Sequence, residues 1–189
     1  MAESSVSFGV ATADARLVIV PGLGGSGEGH WQTRWEAAHP RASRFAPASW
    51  DRPSLDDWLA ALDREVRAVD EPPILVAHSL GTIVASAWMT VHPTGARAAL
   101  LVAPPDAGRA QAPAVIKPFA DAVRGPLSVP ATLIASQDDP YGEYSHAEHV
   151  AELLGVRLHS VGAAGHINAD SGLGEWAQGL TFLEELARA

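Results

Sequence analysis

The chain has 189 residues, of which 47% are hydrophobic and 19% charged, with a formal net charge of −9 at pH 7. This length and composition predict a single domain, residues 1–189, with a sizeable core. The absence of cysteine excludes disulfides, thiolate metal sites and cysteine nucleophiles, and an acidic chain without basic runs disfavours nucleic acids and anionic membranes as partners.

Short apolar runs alternate with amphipathic stretches, a pattern typical of a mostly parallel sheet with helices on both faces. Strands are predicted at residues 16–20, 43–46, 74–77, 98–102, 131–135 and 156–160. Helices are predicted at residues 30–38, 54–69, 79–91, 146–154 and 174–187. Ser54 and Asp57 resemble a capping box at the start of the second helix. The proline-rich segment 104–130 should be a loop with at most one short helix, too short for a folded lid.

The N-terminal residues 1–16 have neither a positive start nor a continuous apolar stretch, so they do not resemble a signal peptide. No apolar run along the chain is long enough to cross a bilayer. We therefore expect a cytoplasmic protein.

The third predicted strand runs directly into His78-Ser79-Leu80-Gly81 and a helix. This matches the nucleophile elbow G-x-S-x-G, except that Ala77 replaces the first glycine. Small residues flank the serine because the turn is tight and strained. The free N–H groups at the helix N-terminus favour negative charge, so the N–H of Leu80 is the expected first oxyanion donor and Ser79 the expected nucleophile. The alternative is a serine that only caps a buried helix.

A serine nucleophile needs a histidine base and an orienting carboxylate, which follow it in the chain order acid, then histidine. Asp138 and Asp139 stand at the carboxyl end of the fifth strand, where catalytic groups gather. Only one of two successive extended side chains can face the histidine. Pro140 stiffens the backbone at Asp139 and favours it, with Asp138 as the alternative and simple turn capping by both as another. His166 lies beyond the last strand on a loop of small residues, and we predict that it is the base.

The glycine loop after the first strand, residues 22–27, should supply the second oxyanion donor, for which we predict the N–H of Leu23. The same loop satisfies G-x-G-x-x-G, so a dinucleotide-binding oxidoreductase is a competing interpretation. The expected acidic residue at the end of the second strand is missing. Glu28 would lie poorly beside a pyrophosphate, and it occupies the lysine position of a P-loop.

Other aromatic and imidazole side chains have weaker assignments. His30, Trp31 and Trp50 are candidates for the acyl pocket, although both tryptophans could equally be core residues. The side chain of His78 should point away from the substrate because it adjoins the nucleophile. His146 and His149 lie three residues apart on a predicted helix, but no third ligand has suitable spacing, so we predict no metal and no other cofactor.

These motifs together resemble the small α/β-hydrolases of the YdeN and retinoblastoma-binding serine hydrolase family. The resemblance spans nearly the whole chain and includes the following segments: Val20-Pro21-Gly22, His30-Trp31, Trp50-Asp51, Ala77-His78-Ser79-Leu80-Gly81, Leu101-Val102-Ala103-Pro104, Asp138-Asp139-Pro140 and Gly165-His166. It implies a compact α/β-hydrolase fold without a cap domain and serine hydrolase activity on esters or related small acyl substrates. Its acid immediately precedes a proline, which carries over to Asp139. A catalytically idle protein-binding module with the same fold is the alternative function.

Overall fold

The computed structural model describes residues 6–188. Its centre is a six-stranded parallel sheet with the strand order β2-β1-β3-β4-β5-β6. The strands are β1 (Leu17–Val20), β2 (Ala42–Arg44), β3 (Ile74–His78), β4 (Ala98–Val102), β5 (Ala131–Ala135) and β6 (Arg157–Ser160). Residues 1–5, which contributed to the expectation about a signal peptide, lie outside the described residues.

The helices are α1 (Trp31–Ala38), α2 (Leu55–Arg67), α3 (Leu80–Val91), α4 (Tyr144–Leu154) and α5 (Ala177–Ala187). They cover both faces of the sheet. Val18 and Val20 belong to the hydrophobic cluster shared with α2, α3 and α4, whereas Leu17 and Ile19 belong to the cluster shared with α1 and α5. This alternation follows from the two-residue period of a strand, and it explains why a strand buried on both faces is continuously apolar. The predicted fold class, a mostly parallel α/β-hydrolase sheet, is confirmed.

Two helices begin two or more residues from their predicted starts, and α4 does so by beginning at Tyr144 rather than at residue 146. The last helix begins at Ala177 rather than at residue 174, because Gly174 and Trp176 adopt positive φ angles of 59° and 48°, which a right-handed helix does not allow. The predicted capping box at α2 is wrong. Ser54 makes no side-chain capping bond, and the Asp57 carboxylate instead accepts the N–H of Ala48 at 2.8 Å.

The segment between β4 and β5 contains only one helical turn, a 3-10 helix at Lys117–Phe119. Phe119 is fully buried in the cluster formed with α2, α3 and α4, so this segment packs against the body of the protein. The prediction of a loop with at most one short helix is confirmed. Within residues 6–188, no helix has the length and apolar character needed to span a membrane.

Candidate active site

Ser79 occupies the turn between β3 and α3 with φ 54° and ψ −128°. A non-glycine residue with positive φ is strained, and surrounding structure must hold it there. The nearby Gly81 shows how closely the start of α3 packs, since a Cβ at this position would lie 2.1 Å from the carbonyl oxygen of Val20. Ala77 lies within β3 and does not have a positive φ, so the backbone does not require glycine at this position.

The glycine loop after β1 passes directly beside the elbow. A Cβ at Gly22 would lie 2.7 Å from the Cβ of Ser79 and 3.1 Å from both its Oγ and the backbone N of Leu80. Gly22 is therefore required by close approach to the nucleophile. The sequence indicated that glycines let this loop approach the reacting centre, but only the structure shows which glycine lies against Ser79.

Ser79, His166 and Asp139 meet at the carboxyl edge of the sheet. The Nε2 atom of His166 lies 2.8 Å from the Oγ of Ser79, and its Nδ1 lies 2.8 and 2.9 Å from the two carboxylate oxygens of Asp139. The side chains of His166 and Asp139 are only 8% and 5% exposed. Because a carboxylate only accepts, Nδ1 carries the proton and leaves Nε2 free to accept from the serine hydroxyl.

Asp138 has a different set of partners. Its Oδ1 accepts the hydroxyl of Ser136 at 2.7 Å and the N–H of Gly165 at 2.8 Å. These two hydrogen bonds hold the pKa of the Asp138 carboxyl below its usual range, the one from Ser136 having the larger effect. The structure thus brings Asp139, and not Asp138, to His166, while Asp138 supports the loop that carries the histidine.

A cavity of about 350 Å³ opens over Ser79 and His166. Leu23 and Leu80, the two predicted oxyanion donors, both line it, and within residues 6–188 the N–H of Leu23 has no hydrogen-bond acceptor. The wall includes Pro105, Pro113, Ile116 and Tyr141. Among residues 6–188, no lysine, arginine, aspartate or glutamate lines this cavity. It therefore suits an uncharged ligand with an apolar part.

A larger depression of about 590 Å³ lies between the end of α2 and the loop that follows α3. It is bordered by Pro72 and Pro93, which precede β3 and β4, so it opens at the amino edge of the sheet. Ser79 and His166 are at the opposite edge. Ligands of open α/β sheets bind at the carboxyl edge, so we assign the chemistry to the smaller cavity.

The structure places one of the three predicted pocket residues at the cavity. His30 lines the cavity, but Trp31 and Trp50 do not. Trp31 is 1% exposed and belongs to the core under α1 and α5, where its indole N–H donates to the carbonyl of Ile167 at 2.8 Å. Trp50 packs outside the cavity against Gly25, where a Cβ would lie 2.8 Å from the indole ring. Both tryptophans are packing residues.

Three imidazoles form a row beneath the cavity. The ring centroids of His30 and His78 are 4.7 Å apart, and those of His78 and His166 are 4.9 Å apart. Burial holds the pKa of His78 well below its usual value. Burial, followed by the charges of Arg44 and His166, lowers the pKa of His30 to about 4. Both therefore stay neutral near pH 7 and do not repel a positive charge on His166.

His78 is one of the residues that line the cavity, but it is only 4% exposed. Its Nε2–H donates to the main-chain carbonyl of His166 at 2.8 Å. The variable position of G-x-S-x-G was the only sequence signal for this contact, and that position alone does not identify it.

Within the described residues, the structure supports neither a metal site at His146 and His149 nor a dinucleotide-binding glycine loop. Among residues 6–188, no three His, Asp or Glu side chains are grouped so that they could hold a metal ion. Gly22 packs against Ser79, and the first helix begins only at Trp31, after the glycine motif has ended. In a dinucleotide fold the third glycine would pack the helix against the strand.

Comparisons with known proteins identify a family and a fold for this chain. The sequence profile of the family described as serine hydrolase matches residues 17–185. A YdeN-like hydrolase of Pectobacterium atrosepticum is 34% identical, with a TM-score of 0.84 over 94% of this chain and 93% of that one. The ydeN gene product of B. subtilis is 22% identical, with a TM-score of 0.71 over 93% of this chain and 100% of that one. An esterase domain of Rhodothermus marinus shares the fold at 16% identity, with a TM-score of 0.70 over 96% of this chain and 90% of that one. No curated protein matches the chain.

Proposed function

The chain belongs to the serine hydrolase family, and we propose that it hydrolyses small, uncharged esters through an acyl-enzyme on Ser79. His166 is the general base and Asp139 is the acid that orients it. The observation that carries this proposal is the pair of 2.8 Å contacts on His166, from Nε2 to the Ser79 Oγ and from Nδ1 to Asp139.

The proposed reaction begins when His166 Nε2 takes the hydroxyl proton as the Oγ of Ser79 attacks the ester carbonyl. Asp139 stabilises the imidazolium that forms. The same proton then passes to the leaving alkoxide, and the alcohol departs from the acyl-enzyme. Water gives a proton to His166 as it attacks the acyl carbonyl, and this proton returns to the Oγ of Ser79 as the bond to the acyl group breaks and the carboxylic acid departs. The ester and water are the only reactants, and Ser79 and His166 end the cycle in their starting protonation states.

The oxyanion of each tetrahedral intermediate would be held by the N–H groups of Leu80 and Leu23. Leu80 is the first residue of α3, so its N–H lies at the positive end of the helix dipole. Leu23 has a backbone donor that no described acceptor occupies. By analogy with measured deletions, a donor of this kind contributes about 3–4 kcal/mol to transition-state stabilisation.

The substrate class follows from the size and charge of the cavity. A volume of about 350 Å³ holds roughly a dozen non-hydrogen atoms if each takes about the 30 Å³ of a liquid water. In the part of the chain that the structure describes, no Lys, Arg, Asp or Glu lines the cavity, and a net charge of −9 disfavours the approach of anions. These features favour neutral esters with a short acyl chain over long-chain lipids and over carboxylates.

Reaction with a fluorophosphonate probe tests the proposal. We expect labelling of the native protein and none of Ser79→Ala. Ser54→Ala is the matched control, because Ser54 is exposed and caps no helix through its side chain. It should label at the native rate. A native protein that is folded but unlabelled would refute the hydrolase mechanism and favour the idle binding module.

A further inference from the structure

His166 lies on a loop whose backbone is held in an uncommon conformation. The residues on either side of it, Gly165 and Ile167, have φ angles of 56° and 48°. Positive φ is unusual for the β-branched Ile167 and persists only where surrounding contacts impose it. The position of the imidazole therefore depends on what holds this loop.

Two side chains donate hydrogen bonds to consecutive main-chain carbonyls of this loop. The indole N–H of Trp31 donates to the carbonyl of Ile167, and the imidazole Nε2–H of His78 donates to that of His166 itself, each at 2.8 Å. His78 is 4% exposed. It has His30 on one side and His166 on the other, so its ring has little freedom to turn.

We propose that His78 is a positioning residue for the reaction, because its bond to the His166 carbonyl holds the base at 2.8 Å from the adjacent Ser79. This inference rests on the proposed function. His78 precedes the nucleophile directly in the chain, so a single segment fixes both partners in the proton transfer. A carbonyl can only accept, so the bond requires the tautomer with its proton on Nε2.

Substitutions at residue 78 test whether the side chain must place a hydrogen-bond donor at the His166 carbonyl or whether any polar side chain is sufficient. Glutamine places its amide nitrogen near the position of the imidazole Nε2, whereas asparagine is one methylene shorter and leucine has no donor. We expect His78→Leu and His78→Asn to lower kcat for p-nitrophenyl acetate roughly 10- to 100-fold, because a shift of the base by about 1 Å costs on the order of 100-fold. KM should change much less. His78→Gln should keep kcat within about threefold of the native value.

His39 offers a matched control for the loss of a buried histidine. It is 3% exposed, and its Nε2–H also donates to a main-chain carbonyl, that of Thr12, at 2.8 Å, away from the cavity. His39→Leu should lower the melting temperature as His78→Leu does, yet leave kcat of the folded protein unchanged.

Native kcat in folded His78→Leu would overturn the inference, as would a His78→Gln protein that is as slow as His78→Leu. If the leucine variant does not fold, equal activity of the glutamine and asparagine variants would overturn it. Fluorophosphonate labelling of the native protein, lost in Ser79→Ala, would leave the proposed function standing in each case. Failure to label the native protein would instead remove the proposed function, and this inference with it.

Discussion

Gly22→Ala should slow catalysis while leaving the fold intact. Its φ is not positive, so alanine can adopt the backbone, but the new Cβ would lie 2.7 Å from the Cβ of Ser79. Relieving such overpacking costs about 1–3 kcal/mol. If the elbow moves to relieve it, kcat/KM falls roughly 5- to 150-fold, since each 1.36 kcal/mol is a factor of ten. Steady-state hydrolysis of p-nitrophenyl acetate measures this change.

Gly29→Ala is the control from the same connection between β1 and α1. A Cβ there would lie 3.5 Å from the Cβ of Ala169, which is an ordinary contact, so we expect kcat/KM within about twofold of the native value. Urea unfolding of both variants shows whether a loss of activity comes from a displaced nucleophile or from an unfolded protein. A folded Gly22→Ala protein with native kcat/KM would refute the argument that the loop packs directly against the nucleophile.

Three further predictions concern the acid, the substrate and pH. Asp139→Asn should lower kcat by roughly 10⁴-fold and Asp138→Asn by less than about tenfold, because only Asp139 reaches His166; a reversed order in steady-state kinetics would reassign the acid. Across p-nitrophenyl esters, kcat/KM should be at least about tenfold higher for butyrate than for palmitate, since the cavity holds roughly a dozen atoms; a preference for palmitate would contradict this. The unfolding free energy should decrease as pH falls from 6.5 to 4, because His30 stays neutral in the folded state to about pH 4 whereas the unfolded imidazole binds a proton near 6.5. This loss, up to about 3 kcal/mol, should be smaller in His30→Gln by urea unfolding, and equal losses in both proteins would contradict it.

Much of the fold could be predicted because its signals are local. The buried parallel strands, such as Ile74–His78 and Ala98–Val102, are continuous apolar runs, and the elbow of Ser79 is a short motif at a strand end. The order of acid and histidine along the chain then restricted the partners to two aspartates and one histidine. The period of an extended segment indicated that Asp138 and Asp139 diverge, and they do contact different partners.

The remaining features depend on contacts between residues distant in the chain. Trp31 and Trp50 adjoin motifs of the site, but the direction of a side chain is decided by the packing around it, and both rings pack away from the cavity. The bond from His78 to the carbonyl of His166 joins residues 88 positions apart. The left-handed backbone of Trp176, which delays α5, has no signal in its residue type.

The central claim is that Ser79 becomes covalently acylated. Peptide mass mapping of the protein quenched in acid during turnover of a p-nitrophenyl ester tests it directly, because an acyl-enzyme adds the mass of the acyl group to one serine. We predict that this mass lies on the peptide containing Ser79 and disappears in Ser79→Ala. Steady turnover of the native protein with the acyl group on another residue, or native turnover by Ser79→Ala, would contradict the account.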